Sequence, residues 1–233
     1  MRAQEQFELV INKSTIYRDD FLDERRRLMG VYSTFPSTDA RFTSFAKCIN
    51  VLNDLCIGYV TLRENVIKRD WWKEKFGLEE ESSIKRQISD YEMFLRIAFT
   101  HLLFSSVESS IRNFARSVIP TESRNGTVDF YRVYPILLNR LSLAPYIELL
   151  RLLSNIRNTI HNNGVFFPSN QENQTIVYNS RTYTFEVGKV LEFVGTQFVL
   201  DFVPDIRNLL VKMIESPAIS SAGPIRDLAS VQQ

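Results

Sequence analysis

Residues 154–164 read SNIRNTIHNNG and hold the side chains of this chain best suited to chemistry. Arg157 and His161 are four residues apart, so on a helix they share one face, with Asn158 and Asn162 in a parallel row beside them. Cleaving RNA without a metal needs a base to take the ribose 2′-OH proton. It also needs a cation or donor for the charge that grows on the phosphoryl oxygens. A neutral imidazole, titrating near ~6.5, suits the first task. A guanidinium, with its rigid fork of donors, suits the second. Asn158 and Asn162 would orient the phosphate or the imidazole. The same residues also spell an ordinary helix end. A histidine in the last turn is favoured by the helix dipole, asparagines cap, and Gly164 stands just beyond in a left-handed conformation.

Glu108, inside LLFSSVESSI, has two readings. It can form an ion pair with Arg112 four residues on. It can also pin the guanidinium of Arg157, because a carboxylate among apolar residues is costly without a partner. His101, seven residues before Glu108, reads as a core histidine. In KRDWWKEK, residues 68–75, Trp71 and Trp72 beside Lys73 offer stacking and charge to single-stranded RNA. The other reading docks both tryptophans on the body of the protein. ERRRL at 24–28 reads as a solvated helix face that could touch phosphates.

Helices must position these groups. From Ser89 to Val118, Tyr91, Leu95, Ala98, Leu102 and Ser109 recur at three-, four- and seven-residue intervals, predicting a long helix that stops before Pro120. A second long pattern runs from about Asp39 to Val66, with Phe42, Phe45, Ile49, Leu52 and Leu55 on its apolar side. Further helices are expected over FYRVYPILLNRL, where Pro135 should shorten or kink the run, and over APYIELLRLLSNIRNTIHNN. The last helical stretch contains Pro204, which should bend or divide it. Thr175–Tyr178 and Thr182–Val187 are β-rich and read as a hairpin turning at Asn179-Ser180-Arg181. The fold class expected is therefore all-α, a helical bundle with one small β-hairpin near residues 174–187. LEEESS at 78–83 marks a boundary between an N-terminal helical region (1–85) and the main bundle (86–219), and the polar tail 220–233 should be poorly ordered.

Composition bounds the function. Hydrophobic residues at 44% can build a core, and a net charge of +1 leaves no global field for nucleic acid, so any RNA surface must be a local patch. Cys48 and Cys56 form no C-x-x-C pair, which argues against a disulfide scaffold or a zinc site and for two core thiols. No metal and no cofactor is expected. Walker, G-x-G-x-x-G, H-E-x-x-H and G-x-S-x-G motifs are absent, leaving nucleotide hydrolysis, zinc hydrolysis and serine esterase chemistry unsupported. The first ten residues lack a signal-peptide run, and FLRIAFTHLLF is broken by Arg96 and His101 and falls short of the ~20 residues of a spanning helix. A cytoplasmic, membrane-free setting is the expectation.

IRNTIHNNG late on a bundle helix, the upstream LLFSSVESSIRNFA and the hairpin after the histidine together resemble the HEPN-domain family over about residues 86–215. The resemblance implies a helical bundle, often dimeric, that in many members is a metal-independent ribonuclease of toxin–antitoxin, abortive-infection or other anti-phage systems. It would make Arg157 and His161 the catalytic pair and Asn158 the polar residue that follows the arginine. It would also imply RNA as substrate and an antitoxin or other defence protein as partner. Two departures stand out. The family usually has a longer interval than the three residues between Arg157 and His161, and Asn163 stands where some members carry a tyrosine that partner enzymes modify. A non-catalytic HEPN-like module that dimerises or binds a partner is the other reading. With His101 assigned to the core, one chain holds a single good proton-transfer group. A homodimer pairing two copies of His161 would then supply the second.

Overall fold

The structure, a computed structural model, describes residues 3–123, 129–191 and 194–227. Helices dominate: α1 (Ala3–Val31), α2 (Ala40–Thr61), α3 (Arg69–Phe76), α4 (Glu81–Val118), α5 (Pro120–Ser123), α6 (Phe130–Arg140), α7 (Ile147–His161), α8 (Thr196–Leu200), α9 (Val203–Glu215) and α10 (Pro217–Ser220). Between α7 and α8 stands an antiparallel hairpin, β1 (Gln174–Tyr178) and β2 (Arg181–Phe185). The all-α class with one small hairpin is what the periodicities predict.

Each helix follows its apolar spacing. In α6 Phe130, Val133, Tyr134, Leu137 and Leu138 are buried, and in α7 Leu149, Leu152, Leu153 and Ile156 are buried, the stripe expected of an amphipathic helix. Pro135 lies inside α6, which stays short. Pro204 falls in the first turn of α9 and divides the last stretch into α8 and α9, because proline is tolerated where no intrahelical acceptor is needed. Asn179 and Ser180 alone form the hairpin turn, both at positive φ (47° and 60°), so the tip is two residues and Arg181 already belongs to β2.

The phase expected for α4 is corrected. Its buried face runs through Leu95, Phe99, Leu103, Val107, Ile111 and Phe114, whereas Leu102 is 45% exposed. Tyr91, Ala98 and Leu102 line a groove against α2 instead. Apolar residues lie on more than one side of α4, so its sequence carried two superimposed phases. Gly58 of α2 faces Leu95 of α4, and a side chain there would meet the leucine at 2.5 Å.

Residues on both sides of the 78–83 segment contribute to one continuous hydrophobic core. By length and composition Ala40–Val66 is apolar enough to cross a membrane, yet Phe42, Phe45, Leu52 and Leu55 are buried in that core, the pattern of a helix packed inside a protein. Cys48 fills core as expected, and burial pushes its thiol up to about 12.

The tail expected to be poorly ordered is anchored as far as Asp227. Asp39 caps α2, grips the fully buried Arg41, and accepts the Ile225 amide at 2.8 Å. Arg41 also donates to the Ile219 and Ala222 carbonyls, and Asp227 binds Asn113 and Lys47. Residues 228–233 lie outside the described residues.

Candidate active site

α7 carries Arg157, Asn158 and His161 through its last turns, and the asparagine-glycine run 162–164 fixes where the helix stops. Asn162 caps it with its backbone amide. Asn163, at φ 55°, takes the left-handed position expected for Gly164, and the Gly164 amide closes on the Thr159 carbonyl at 2.9 Å. This is a Schellman ending with asparagine in the usual glycine place. Gly164 is left-handed as well (φ 85°) and accepts the Leu191 amide, while Val165 pairs with Val190, tying the helix end to the segment that returns from the hairpin.

His161 is exposed, and its ring meets that of His101 on α4 edge to face, with centroids 4.8 Å apart. The reading of His101 as a satisfied core histidine is thereby corrected. It is half-buried, and it sits against the one side chain that the sequence marks as a base. The packing of α4 against α7 explains this: Phe104 meets Arg157 one turn away, so His101 falls opposite His161. Burial first, then the Arg157 guanidinium and His101, hold the His161 imidazole below its ordinary value, favouring the neutral, proton-accepting form.

Arg157 is held from two directions. Its guanidinium lies 5.8 Å from the centre of the Phe104 ring, and its Nη1 donates to Asn158 Oδ1 at 3.0 Å. Asn158 Nδ2 donates to the Tyr131 hydroxyl at 2.8 Å, Tyr131 donates to Asn155, and Asn155 donates to Gln174 at the start of β1. The hairpin is thus connected to the arginine through four polar side chains. Burial pushes the Tyr131 hydroxyl up to about 12, so it remains a donor across neutral pH. Arg157 Nε is buried with no hydrogen-bond partner among the described residues, a local cost of the kind that functional sites tolerate.

Glu108 does not reach for Arg157 as its main partner. It accepts from Arg112 Nε and Nη2 at 2.8 and 2.7 Å, the i,i+4 pair of the first reading. Arg112 in turn lies 5.4 Å from the Phe130 ring, and Phe130 packs edge-on against Phe104. Glu108 therefore supports the site at one remove, through an aromatic pair flanked by two arginines. Asn162 offers its backbone as the helix cap, and its exposed side chain has no partner among the described residues.

The tryptophan segment stands apart, beside the beginning of α4 near Tyr91 and about 15 Å along the helix from His101. Trp72 is buried at 8% and donates from Nε1 to the Val66 carbonyl, Trp71 packs edge-on against it, and Lys73 pairs with Glu79. That is the docked arrangement. Arg26 and Arg27 of the basic run pair with Asp23, Glu24 and Glu215 on an exposed face.

His101, Phe104, Tyr131 and Asn155 belong to the site and were not assigned to it from sequence. Their only signal was polar or aromatic identity on helices otherwise read as core. Among the described residues no three His, Cys, Asp or Glu side chains converge as a metal site would require. No family model matches the chain, and neither the curated proteins nor the solved structures contain a match to it.

Proposed function

We propose that the protein is a metal-independent endoribonuclease of HEPN type, acting in a cytoplasmic toxin–antitoxin or anti-phage defence system. The observation that carries this reading is the His101–His161 pair, one turn from an oriented arginine. Cleavage by transesterification needs a base at the 2′-OH, an acid at the leaving 5′-oxygen, and positive charge for the phosphoryl oxygens. His161, neutral and exposed, takes the 2′-OH proton, and the freed 2′-oxygen attacks phosphorus. His101, protonated, gives its proton to the 5′-oxygen as the P–O5′ bond breaks. A 2′,3′-cyclic phosphate and a 5′-hydroxyl result. Arg157, set by Asn158 and Tyr131, faces the developing charge. Two imidazoles this close resist being doubly protonated, which keeps His161 from being charged at the same time as its neighbour.

The pair within one chain removes the reason for a site shared between two copies of His161. A homodimer would then be an assembly of two complete sites. The reading as a partner-binding module draws support from a different feature, the exposed Ile57, Phe94 and Leu102 along the α2–α4 groove. The test is incubation of structured and single-stranded RNA with purified wild-type and His161→Ala protein. Cleavage by the first and not the second supports the enzyme, and intact RNA in both favours the binding module.

A further inference from the structure

A cavity of about 390 Å³ lies between α4, the end of α7 and the segment after the hairpin. It adjoins the histidine pair. Met93 and Ile97 share the stripe of α4 that leads to His101, at four-residue intervals. From the other side Ile160 and Asn163 line it, flanking His161 in sequence. Phe104 meets Arg157 and His101 meets His161, so stepping back along α4 is stepping forward past the end of α7. The cavity lies beside the histidine pair, and its wall also runs back along α7 to Thr159 and Ile156.

Its walls are mostly aliphatic, from Met93, Ile97, Ile160 and Val190, with the Asn163 amide among them and one cation, Arg96. The Arg96 guanidinium lies one turn from Glu92 on α4 and acts electrostatically on that half-buried carboxyl, favouring its charged form. An apolar slot with few polar groups suits a flat, apolar-faced ligand that is read at its edge. A guanidinium beside it suits a phosphate. Arg96 and His101 are five residues apart, about 7.5 Å along the helix axis and roughly 140° around it, so Arg96 flanks the cavity from a different side of α4 than the Met93–Ile97–His101 stripe.

We infer that this cavity receives the base of the nucleotide next to the cleaved phosphate, with Arg96 on that nucleotide's other phosphate. The assignment rests on the ribonuclease reading and names its substrate subsite. A carboxylate-bearing amphiphile has the same crude chemistry, but the nearness of the histidine pair favours the nucleotide.

The experiment titrates the full chain with the four nucleoside 3′-monophosphates and the four 5′-monophosphates, ribose 5-phosphate, free nucleosides and laurate, by calorimetry or protein-detected NMR. Wild type, Ile97→Trp and Arg96→Gln are compared, with circular dichroism to confirm folding. Ile97 is 39% exposed, so a tryptophan there fills the cavity from its open side. At least one nucleotide binds wild type, and ribose 5-phosphate binds about tenfold or more weakly. Ile97→Trp weakens nucleotide binding about tenfold, and Arg96→Gln weakens nucleotides but leaves nucleosides unchanged. Nucleotide binding that depends on Ile97, in a protein that cleaves no RNA, keeps the nucleotide site and sinks the ribonuclease reading. RNA cleavage with nucleotide binding and base preference unaltered in Ile97→Trp overturns the subsite and keeps the ribonuclease. Laurate bound in preference to every nucleotide also overturns it.

Discussion

The rings of His101 and His161 meet edge to face at 4.8 Å, although the two residues are sixty positions apart in sequence. Burial, Arg157 and His101 all disfavour the charged form of His161, so it stays neutral to lower pH than a free imidazole. A base works above its own pKa, so the acid limb of the rate–pH profile should lie below the ordinary value of ~6.5. Arg157→Gln removes one of the two positive neighbours and should move that limb up in pH, while lowering the rate about 100-fold through lost phosphoryl stabilisation. A limb that stays in place in Arg157→Gln would detach the arginine from the histidine.

Tyr131 should act as a positioning residue. Tyr131→Phe removes the hydroxyl that accepts from Asn158 and donates to Asn155, at a stability cost of about 1 kcal/mol. With Arg157 less firmly oriented, kcat should fall roughly tenfold at constant KM, as expected of an interaction used in the transition state. The check is steady-state kinetics with a thermal melt. A variant that loses stability and keeps kcat would make the network purely structural.

Chelation tests the chemistry from another side. No three candidate ligands converge among the described residues, so cleavage should persist unchanged in EDTA and should not respond to added magnesium. Activity abolished by EDTA and restored by magnesium would contradict the two-imidazole mechanism.

Assembly is a separate question from catalysis. Light scattering or sedimentation reports the oligomer, and mixing reports the site. If the chain is a dimer, heterodimers of wild type with His161→Ala should keep about half the activity, since each chain carries its own His101–His161 pair. Mixed dimers with most activity lost would return the second histidine to the partner.

Most of the fold could be read from the sequence because amphipathic periods are local. The stripes of α6 and α7, the division at Pro204 and the hairpin with its Asn-Ser turn all follow from spacings of a few residues. The phase of α4 did not, because Phe94, Ile97 and Leu102 put apolar side chains on a face that is left open. Arg157, Asn158 and His161 stood out for the same local reason, as polar groups crowded at one helix end. His101 did not. Its role depends on which face of α4 meets α7, a tertiary fact with no local signature, and without it the need for a second proton-transfer group pointed to a second chain. The buried Asp39–Arg41 pair hid the anchorage of the tail in the same way, since its partners lie more than 170 residues downstream.

The central claim, that His161 is the base and His101 the acid of one chain, is tested most directly with a bridging phosphorothiolate. RNA whose scissile 5′-oxygen is replaced by sulfur has a leaving group that departs without protonation, so it needs the base and not the acid. His101→Ala should lose about 100-fold or more on ordinary RNA and recover near wild-type rates on the sulfur substrate. His161→Ala should be comparably impaired on both, with the fold intact, because losing a helix-end histidine costs at most ~2 kcal/mol. Equal impairment of His101→Ala on the two substrates, or undiminished cleavage of ordinary RNA by either variant, would contradict the account.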